Sequence, residues 1–343
     1  MDDAPKTFRA QYNRAVPLEH IPTQLFQTFT GHTGGIQSLQ WNPQFPLLFL
    51  STSLDHSVRV WSMASPSGEC RRTLLHHTQA VRRAQWSPDG RCMLSGGLDH
   101  RAVYADVETA QTVRVFSHDA TAERVTAVTI PTSSPSLALL GLDSGRMLCC
   151  DLRAASTSVN KVYDKSLGYV HDLLCLSAPS SADTRFVSST TIRQRNASHR
   201  TLLVWDLRTT ALLFDRLDEE MYARPCLRLH PMKPWFLAQS SGDYASMFSA
   251  TAPYKRRKRM AAFKHHKVGA SSVQCSFSAT GALVATGDLG GNVVVYDTET
   301  QQVVKRLRVQ RSRLDACLSA EFHPMVHSML LAAGQDRQIY LYH

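Results

Sequence analysis

Two sets of residues have the makings of a hydrolytic centre. His32, a serine at 51 or 53, and Asp55 form one; His77, Ser95 and Asp99 form the other. A carboxylate that orients an imidazole, and an imidazole that takes a proton from a hydroxyl, is the arrangement that makes serine nucleophilic. The two sets sit in matching text, however. SLDHSVRVWS at 53–62 and GLDHRAVYAD at 97–106 share Leu-Asp-His ahead of a strand-like run, 44 residues apart. An enzyme seldom needs the same triad twice, so the repetition assigns both sets to structure. No Gly-x-Ser-x-Gly elbow, Walker-type loop or His-Glu-x-x-His helix offers another centre. Neither His265-His266 nor His171-Asp172 has a metal-ligand spacing.

The elements that would hold those residues recur along the chain. Aligned on the dipeptide that closes each run, the copies end at Trp61-Ser62, Ala105-Asp106, Cys150-Asp151, Trp205-Asp206, Phe248-Ser249, Tyr296-Asp297 and Tyr342-His343. The long interval, between Cys150 and Trp205, contains the insertion TIRQRNASHR at 191–200. Within the first copy, Gly31-His32 opens a run through Ile36, Leu39 and Trp41 to a turn at Asn42-Pro43. A second run, LLFLSTS, ends before Asp55, and a third, SVRVW, ends at Trp61. Later turns fall at SPDG, His230-Pro231, Ala279-Thr280-Gly281 and His323-Pro324. Short β-rich runs between turn residues predict antiparallel strands, about four to each copy.

Composition narrows the class. Hydrophobic residues make up 43% of 343 and charged residues 19%, a globular balance. No apolar run approaches the ~20 residues of a membrane span. Residues 1–21 lack the apolar stretch of a signal peptide and are expected to be a tail on an intracellular protein. The eight cysteines form no Cys-x-x-Cys pair, and most lie in or beside apolar runs. They are expected to be buried free thiols, with no disulfide, metal or cofactor. Asn196-Ala197-Ser198 is a glycosylation acceptor only in a secreted chain. The net charge of +10 favours acidic partners, nucleic acid among them.

These repeats closely resemble the WD-repeat family over nearly 22–343. The resemblance is carried by Gly31-His32, Asp55 and Trp61, by His77 and Asp99, by Trp205-Asp206, and by Tyr296-Asp297. It implies an all-β, seven-bladed propeller, each blade a four-stranded sheet around a central channel. It further implies that His32, Asp55 and Trp61, His77, Ser95 and Asp99, and Trp205 and Asp206 belong to buried hydrogen-bonded networks. Ala105 and Cys150 depart from the usual tryptophan and Gly290 from the turn aspartate, which predicts less rigid blades there. The last copy stops after its third strand, so 22–30 is expected to supply the fourth and cover an open edge. A hydrolase would need a non-repeated polar cluster in the channel, and none is evident in the text.

Strand alternation sorts the cations between two faces. On one face fall Arg193 and Arg195 of the insertion, Arg224, His265, Lys267, Arg311 and Arg313, interrupted by Asp218, Glu219 and Glu220. On the other falls Lys255-Arg256-Arg257-Lys258-Arg259, after the third strand of copy five. Mutual repulsion predicts an exposed loop there. It reads first as a solvated loop, next as a nuclear import signal and last as a phosphate contact. Tyr254 and Phe263 flank it, too few for a base-stacking platform. PYKRRKRMAAFKHHKV and its continuation to 297, with 76–100 and 229–249, resemble a branch of the family tied to pre-mRNA splicing. That branch implies a nuclear, non-enzymatic scaffold, monomeric within a larger assembly, with other proteins, splicing factors among them, as partners. Direct RNA binding through the basic face is the alternative.

Overall fold

The computed structural model describes residues 21–343, apart from 66, 118–121, 155–158, 165–167, 177–183, 192–200, 216–221, 258–261, 310–314 and 327. The tail expected at 1–21 therefore lies outside the described residues except for Ile21, which packs against the cluster between the last two blades. The described secondary structure is entirely β. The first strand is β1 (Leu25–Phe29). Blade 1 then comprises β2 (Ile36–Trp41), β3 (Leu48–Ser53), β4 (Val58–Ser62) and β5 (Cys70–Leu74). Blade 2 comprises β6 (Val81–Trp86), β7 (Cys92–Gly97), β8 (Arg101–Asp106) and β9 (Thr112–Ser117). Blade 3 comprises β10 (Val125–Thr129), β11 (Leu137–Leu142), β12 (Met147–Asp151) and β13 (Val159–Tyr163). Blade 4 comprises β14 (Val170–Cys175), β15 (Arg185–Thr190), β16 (Leu202–Asp206) and β17 (Leu212–Phe214). Blade 5 has β18 (Leu227–Leu229), β19 (Trp235–Ser240) and β20 (Tyr244–Ser249). Blade 6 comprises β21 (Cys275–Phe277), β22 (Leu283–Gly287), β23 (Asn292–Asp297) and β24 (Val303–Arg308). Blade 7 is built from β25 (Cys317–Phe322), β26 (Leu330–Gly334) and β27 (Ile339–Tyr342), with β1 as its outer strand.

Period-two alternation explains why the sheets form a ring. Phe49 and Trp61 pack with Leu331 and Leu341 of blade 7, whereas Leu50, Val58 and Val60 pack with Val81 and Trp86 of blade 2. Both faces of a blade are thus apolar, and each must be covered by a neighbour. Seven junctions carry seven such clusters. The inner strands are also stitched across the junctions. Gln40 accepts the Trp86 N–H at 2.8 Å, and Gln85 accepts that of Ile130 at 3.0 Å. Asp172 accepts from Leu227 N at 2.8 Å, Ser276 from Phe322 N at 2.8 Å and Ser319 from Leu39 N at 3.2 Å. An inner strand has one edge without a strand partner, so its amides find side chains of the preceding blade.

β1 pairs antiparallel with β27 from Leu25↔Tyr342 to Phe29↔Ile339. The ladder continues through Gln24 N to His343 O at 3.0 Å and His343 N to Gln24 O at 2.9 Å. Blade 5 departs from the expectation of four strands. Its outer position is held by isolated bridges, Ala245 to Phe263 and Phe248 to Arg256. Ser249 N donates to Lys255 O at 2.9 Å and Arg257 N to Met247 O at 2.8 Å.

Phe29 is fully buried, edge-on to Phe49 at 5.0 Å and to Trp61 at 5.9 Å. We expect Phe29→Ala to lower the unfolding free energy by about 4 kcal/mol. Urea denaturation followed by tryptophan fluorescence measures it, and a loss below about 1 kcal/mol would show that β1 is not needed to hold the ring shut.

Candidate functional site

The triad-like residues do come together, inside the blades. His32 Nδ1 lies 2.8 Å from Asp55 Oδ2 and His32 Nε2 lies 2.7 Å from Ser51 Oγ. Trp61 Nε1 donates to the same hydroxyl at 2.8 Å. Burial holds His32 below its usual pKa despite the pull of Asp55, so the ring is neutral. Its Nδ1–H then donates to Asp55 while Nε2 accepts from Ser51. Burial alone would raise Asp55, but hydrogen bonds from Ser57, His32 and the Thr33 amide hold it below the usual carboxylate range. Ser51 is fully buried and bonded on both sides, leaving no path by which it could attack a substrate. In blade 2, His77 bridges Asp99 at 2.9 Å and the fully buried Ser95 at 2.8 Å. In blade 4, Trp205 Nε1 donates to Ser188 Oγ at 2.9 Å. Asp206 stands apart from that bond. It accepts from Thr184 at 3.0 Å, from the Arg208 amide at 2.9 Å and from Thr209 at 2.8 Å, which makes it a turn cap.

Blade 6 has an equivalent network that the sequence pattern does not disclose. His266 Nδ1 lies 2.7 Å from the Tyr296 hydroxyl, and the Lys267 amide donates to Asp288 at 2.6 Å. Asp288 does from two residues upstream what an aspartate at 290 would do. A Cβ at Gly290 would lie 2.8 Å from Asp288 Oδ2, so the two alternatives exclude each other. The signal available in the text is that Asp288 directly follows the glycine that ends β22.

The central channel holds a cluster that the sequence analysis missed. Arg83 pairs with Asp172, and Arg228 Nη1 lies 3.6 Å from the same carboxylate. Arg228 Nη2 reaches Glu321 at 3.8 Å and donates to Gln274 at 3.3 Å. Gln274 donates to Gln37 O at 3.1 Å, and Arg82 to Gln37 Oε1 at 3.2 Å. Three of these contacts join blades 2 to 4, 5 to 7 and 6 to 1, each skipping a blade, and the other three join neighbouring blades. Burial raises Glu321 to about 7, only partly opposed by Arg228. Asp172 is engaged by two guanidiniums and by the amides of Leu173 and Leu227. The cluster links the inner strands of the ring through charge pairs and side-chain hydrogen bonds.

The predicted cations separate into three fates. Arg193, Arg195, Arg311 and Arg313 lie outside the described residues, as do Lys258 and Arg259 of the basic run. Arg224 is fully buried, which corrects its assignment to an exposed face. Its guanidinium stacks 5.0 Å from the Tyr244 ring and donates to the Tyr244 hydroxyl at 3.0 Å. The aromatic ring and hydroxyl compensate for the water that the cation loses. Lys255, His265 and Lys267 are exposed. Arg256 is half-buried, 5.5 Å from the Tyr244 ring centre, and Arg257 pairs with Glu299 at 2.7 Å. The first part of the run therefore sits on the outer rim of blade 5 rather than in a free loop on one face. Beside it, β24 exposes Lys305, Arg306 and Arg308, and Arg306 donates to His265 O at 2.7 Å. Blades 5 and 6 thus share one cationic rim. Its two neighbouring aromatics, Tyr254 and Phe263, are buried.

Three segments, 23–62, 68–103 and 257–297, match the family model "WD domain, G-beta repeat". The chain is a WD-repeat β-propeller. It is 34% identical to WD repeat-containing protein 25 of Mus musculus over 94% of this chain and 58% of the relative. It is 24% identical to pre-mRNA-processing factor 17 of Mus musculus over 98% of this chain and 55% of the relative. Against pre-mRNA-processing factor 17 of Saccharomyces cerevisiae the identity is 23% over 94% of this chain and 67% of the relative. The chain thus spans little more than half the length of the mouse relatives. Among the described residues of the propeller, no group of three or more His, Cys, Asp or Glu could hold a metal ion, and no helix is long and apolar enough to cross a membrane.

Two features of this propeller lead to measurable outcomes. Asp172→Ala leaves Arg83 and Arg228 facing one another, and we expect a loss of about 4 kcal/mol in urea unfolding. Asp172→Asn, which keeps one accepting oxygen for one of the two amides, should lose less. The second outcome concerns pH. His323 is buried, caps its turn by accepting from the Met325 and Val326 amides, and is lowered by burial to about 4. Between pH 6.5 and 4 the unfolded chain binds a proton at His323 that the folded chain refuses. Stability therefore falls as pH drops through that window, by about 3 kcal/mol for this group. Asn42 caps the corresponding turn of blade 1, accepting from the Gln44 and Phe45 amides. His323→Asn should therefore keep the cap and flatten the decline; an unchanged slope would remove His323 as its source.

Proposed function

We propose that this propeller is a docking platform for proteins, that it works in the nucleus beside the splicing machinery, and that its contact surface is the cationic outer rim of blades 5 and 6. WD-repeat propellers in general mediate protein interactions without catalysis, and the triads of this one are sealed in its core. The splicing association rests on the similarity to pre-mRNA-processing factor 17. The rim is the observation that carries the surface. Lys255, Lys264, His265, Lys267, Lys305, Arg306 and Arg308 are exposed along two adjacent outer edges. Glu299 is taken up by Arg257 and Lys233. A field of one sign steers a partner of the other sign and selects it by charge complementarity.

Acidic protein segments fit this rim better than RNA. Single-stranded RNA is held by stacking as well as by phosphate contacts. Here Tyr254 and Phe263 are buried, and the half-buried Tyr244 ring already has two guanidiniums within 5.5 Å. Point charges without an open aromatic face suit carboxylates spaced along a peptide.

A fluorescent glutamate-rich peptide and a single-stranded oligoribonucleotide, each titrated at two salt concentrations, test the assignment. We expect the peptide to bind more tightly, and Lys255→Glu, Lys264→Glu and Lys305→Glu together to weaken it at least about tenfold. Tighter RNA binding that the same variant abolishes would hand the rim to nucleic acid. Proximity labelling in cells tests the nuclear and splicing part separately, and an unchanged set of neighbours for the variant would exclude the rim.

A further inference from the structure

Where blades 5 and 6 meet, the polar stitch of the ring gives way to sulfur. At the junction of blades 4 and 5, Asp172 accepts the amide of Leu227, and at the junction of blades 7 and 1, Ser319 accepts that of Leu39. The corresponding residue of blade 5 is Cys226. Its sulfur lies 3.7 Å from that of Cys275 and 3.8 Å from the Cys275 carbonyl oxygen. Both side chains are fully buried in one interblade cluster with Leu237, Met247 and Val284. They project from neighbouring inner strands into the same gap. A disulfide requires its sulfurs at about 2.05 Å, and rotation of two facing side chains supplies that approach.

The surroundings set this pair apart from the other thiols. Burial alone would raise Cys226, but the Cys275 thiol donating to it, with Arg228 and Arg83 nearby, holds it below the usual thiol range. Cys275 is raised, chiefly by that same hydrogen bond. Burial pushes Cys149 up to about 11 and Cys150, Cys175 and Cys317 up to about 12. The Cys226 sulfur, the more acidic of the two, therefore sits directly against a second thiol that can resolve it. Arg228 and Glu321 beside the pair keep 24% and 17% of their side-chain surface accessible, whereas both cysteines are fully buried, so a peroxide reaches them only through a local opening between blades 5 and 6.

We propose that Cys226 and Cys275 form an interblade disulfide when the protein meets a hydroperoxide. The Cys226 thiolate attacks the peroxide oxygen, the O–O bond breaks, and alkoxide or hydroxide leaves and takes up a proton. The resulting sulfenic acid is attacked by the Cys275 sulfur, forming the S–S bond and releasing water. Two thiols and one hydroperoxide become one disulfide, one alcohol or water, and one further water. The bond ties the inner strands of blades 5 and 6 and closes the segment that carries the outer edge of blade 5. This inference stands on the thiol geometry and is independent of what the rim binds.

The test treats the full chain with hydrogen peroxide, alkylates free thiols under denaturing conditions and digests without reductant. Mass spectrometry should find the Cys226 and Cys275 peptides joined, two hydrogens lighter than their sum, and separated by dithiothreitol. The oxidised protein should unfold about 5 °C higher than the reduced one. Cys275→Ser should abolish the joined pair and leave Cys226 as a sulfenic acid that reacts with dimedone. Cys70→Ser, which removes a half-buried thiol elsewhere, should leave the pair intact. Recovery of Cys226 and Cys275 fully alkylated after peroxide has consumed Cys70 overturns the proposal. So does a mixture in which this pair is no more abundant than other cysteine pairs. Both outcomes are read on the unmodified protein, so a variant that fails to fold does not shield the idea.

Discussion

A sheet with two apolar faces cannot stand alone in water, and everything else in this molecule follows from that. Each blade sends alternate residues to opposite neighbours, as Phe49 and Leu50 do from adjacent positions in β3. The demand for cover passes from blade to blade and ends only when the last meets the first. Closure falls to β1, whose Phe29 enters the same cluster as Trp61 and Leu341. The inner-strand stitches then satisfy amides that a four-stranded sheet leaves open. Hydrophobic burial makes the ring, and these hydrogen bonds set its register.

Repetition explains which parts were legible beforehand. The dipeptides that close the third strands and the turn residues recur at a near-constant interval, so seven blades can be read from spacing, and the His–Ser–Asp set is visible in the first two of them. The strand character of 24–30 is legible too, and the structure pairs that segment with β27. The channel cluster could not be read. Arg83, Asp172, Arg228 and Glu321 each occur once, in different repeats, and meet only because the ring brings non-adjacent blades together. Arg224 was misread for a related reason. Its position between blades suggests exposure, and only Tyr244, on a different strand, provides the ring that allows it to be buried.

Blade 6 shows how a network outlasts the loss of its signature residue. Gly290 removes the turn aspartate, yet the Lys267 amide still finds a carboxylate, because Asp288 reaches it from the other side of the turn. The loss to be avoided is an unsatisfied buried amide, not the absence of a particular residue. A pattern of residue types records one solution to that requirement, whereas folding selects any solution that meets it.

The same distinction bears on function. Seven identical blades would present seven identical edges and could not direct a partner to one place. Specificity must come from where the repeat is broken, and three such breaks meet at blades 5 and 6. There the outer strand gives way to a bridged cationic segment, two arginines lie within 5.5 Å of the Tyr244 ring, and the polar stitch becomes a pair of thiols. Each departure forgoes some regular pairing that the other blades keep. Their concentration at one junction sets it apart from the equivalent surfaces around the ring, and the remaining blades supply the rigid frame against which that difference can be recognised.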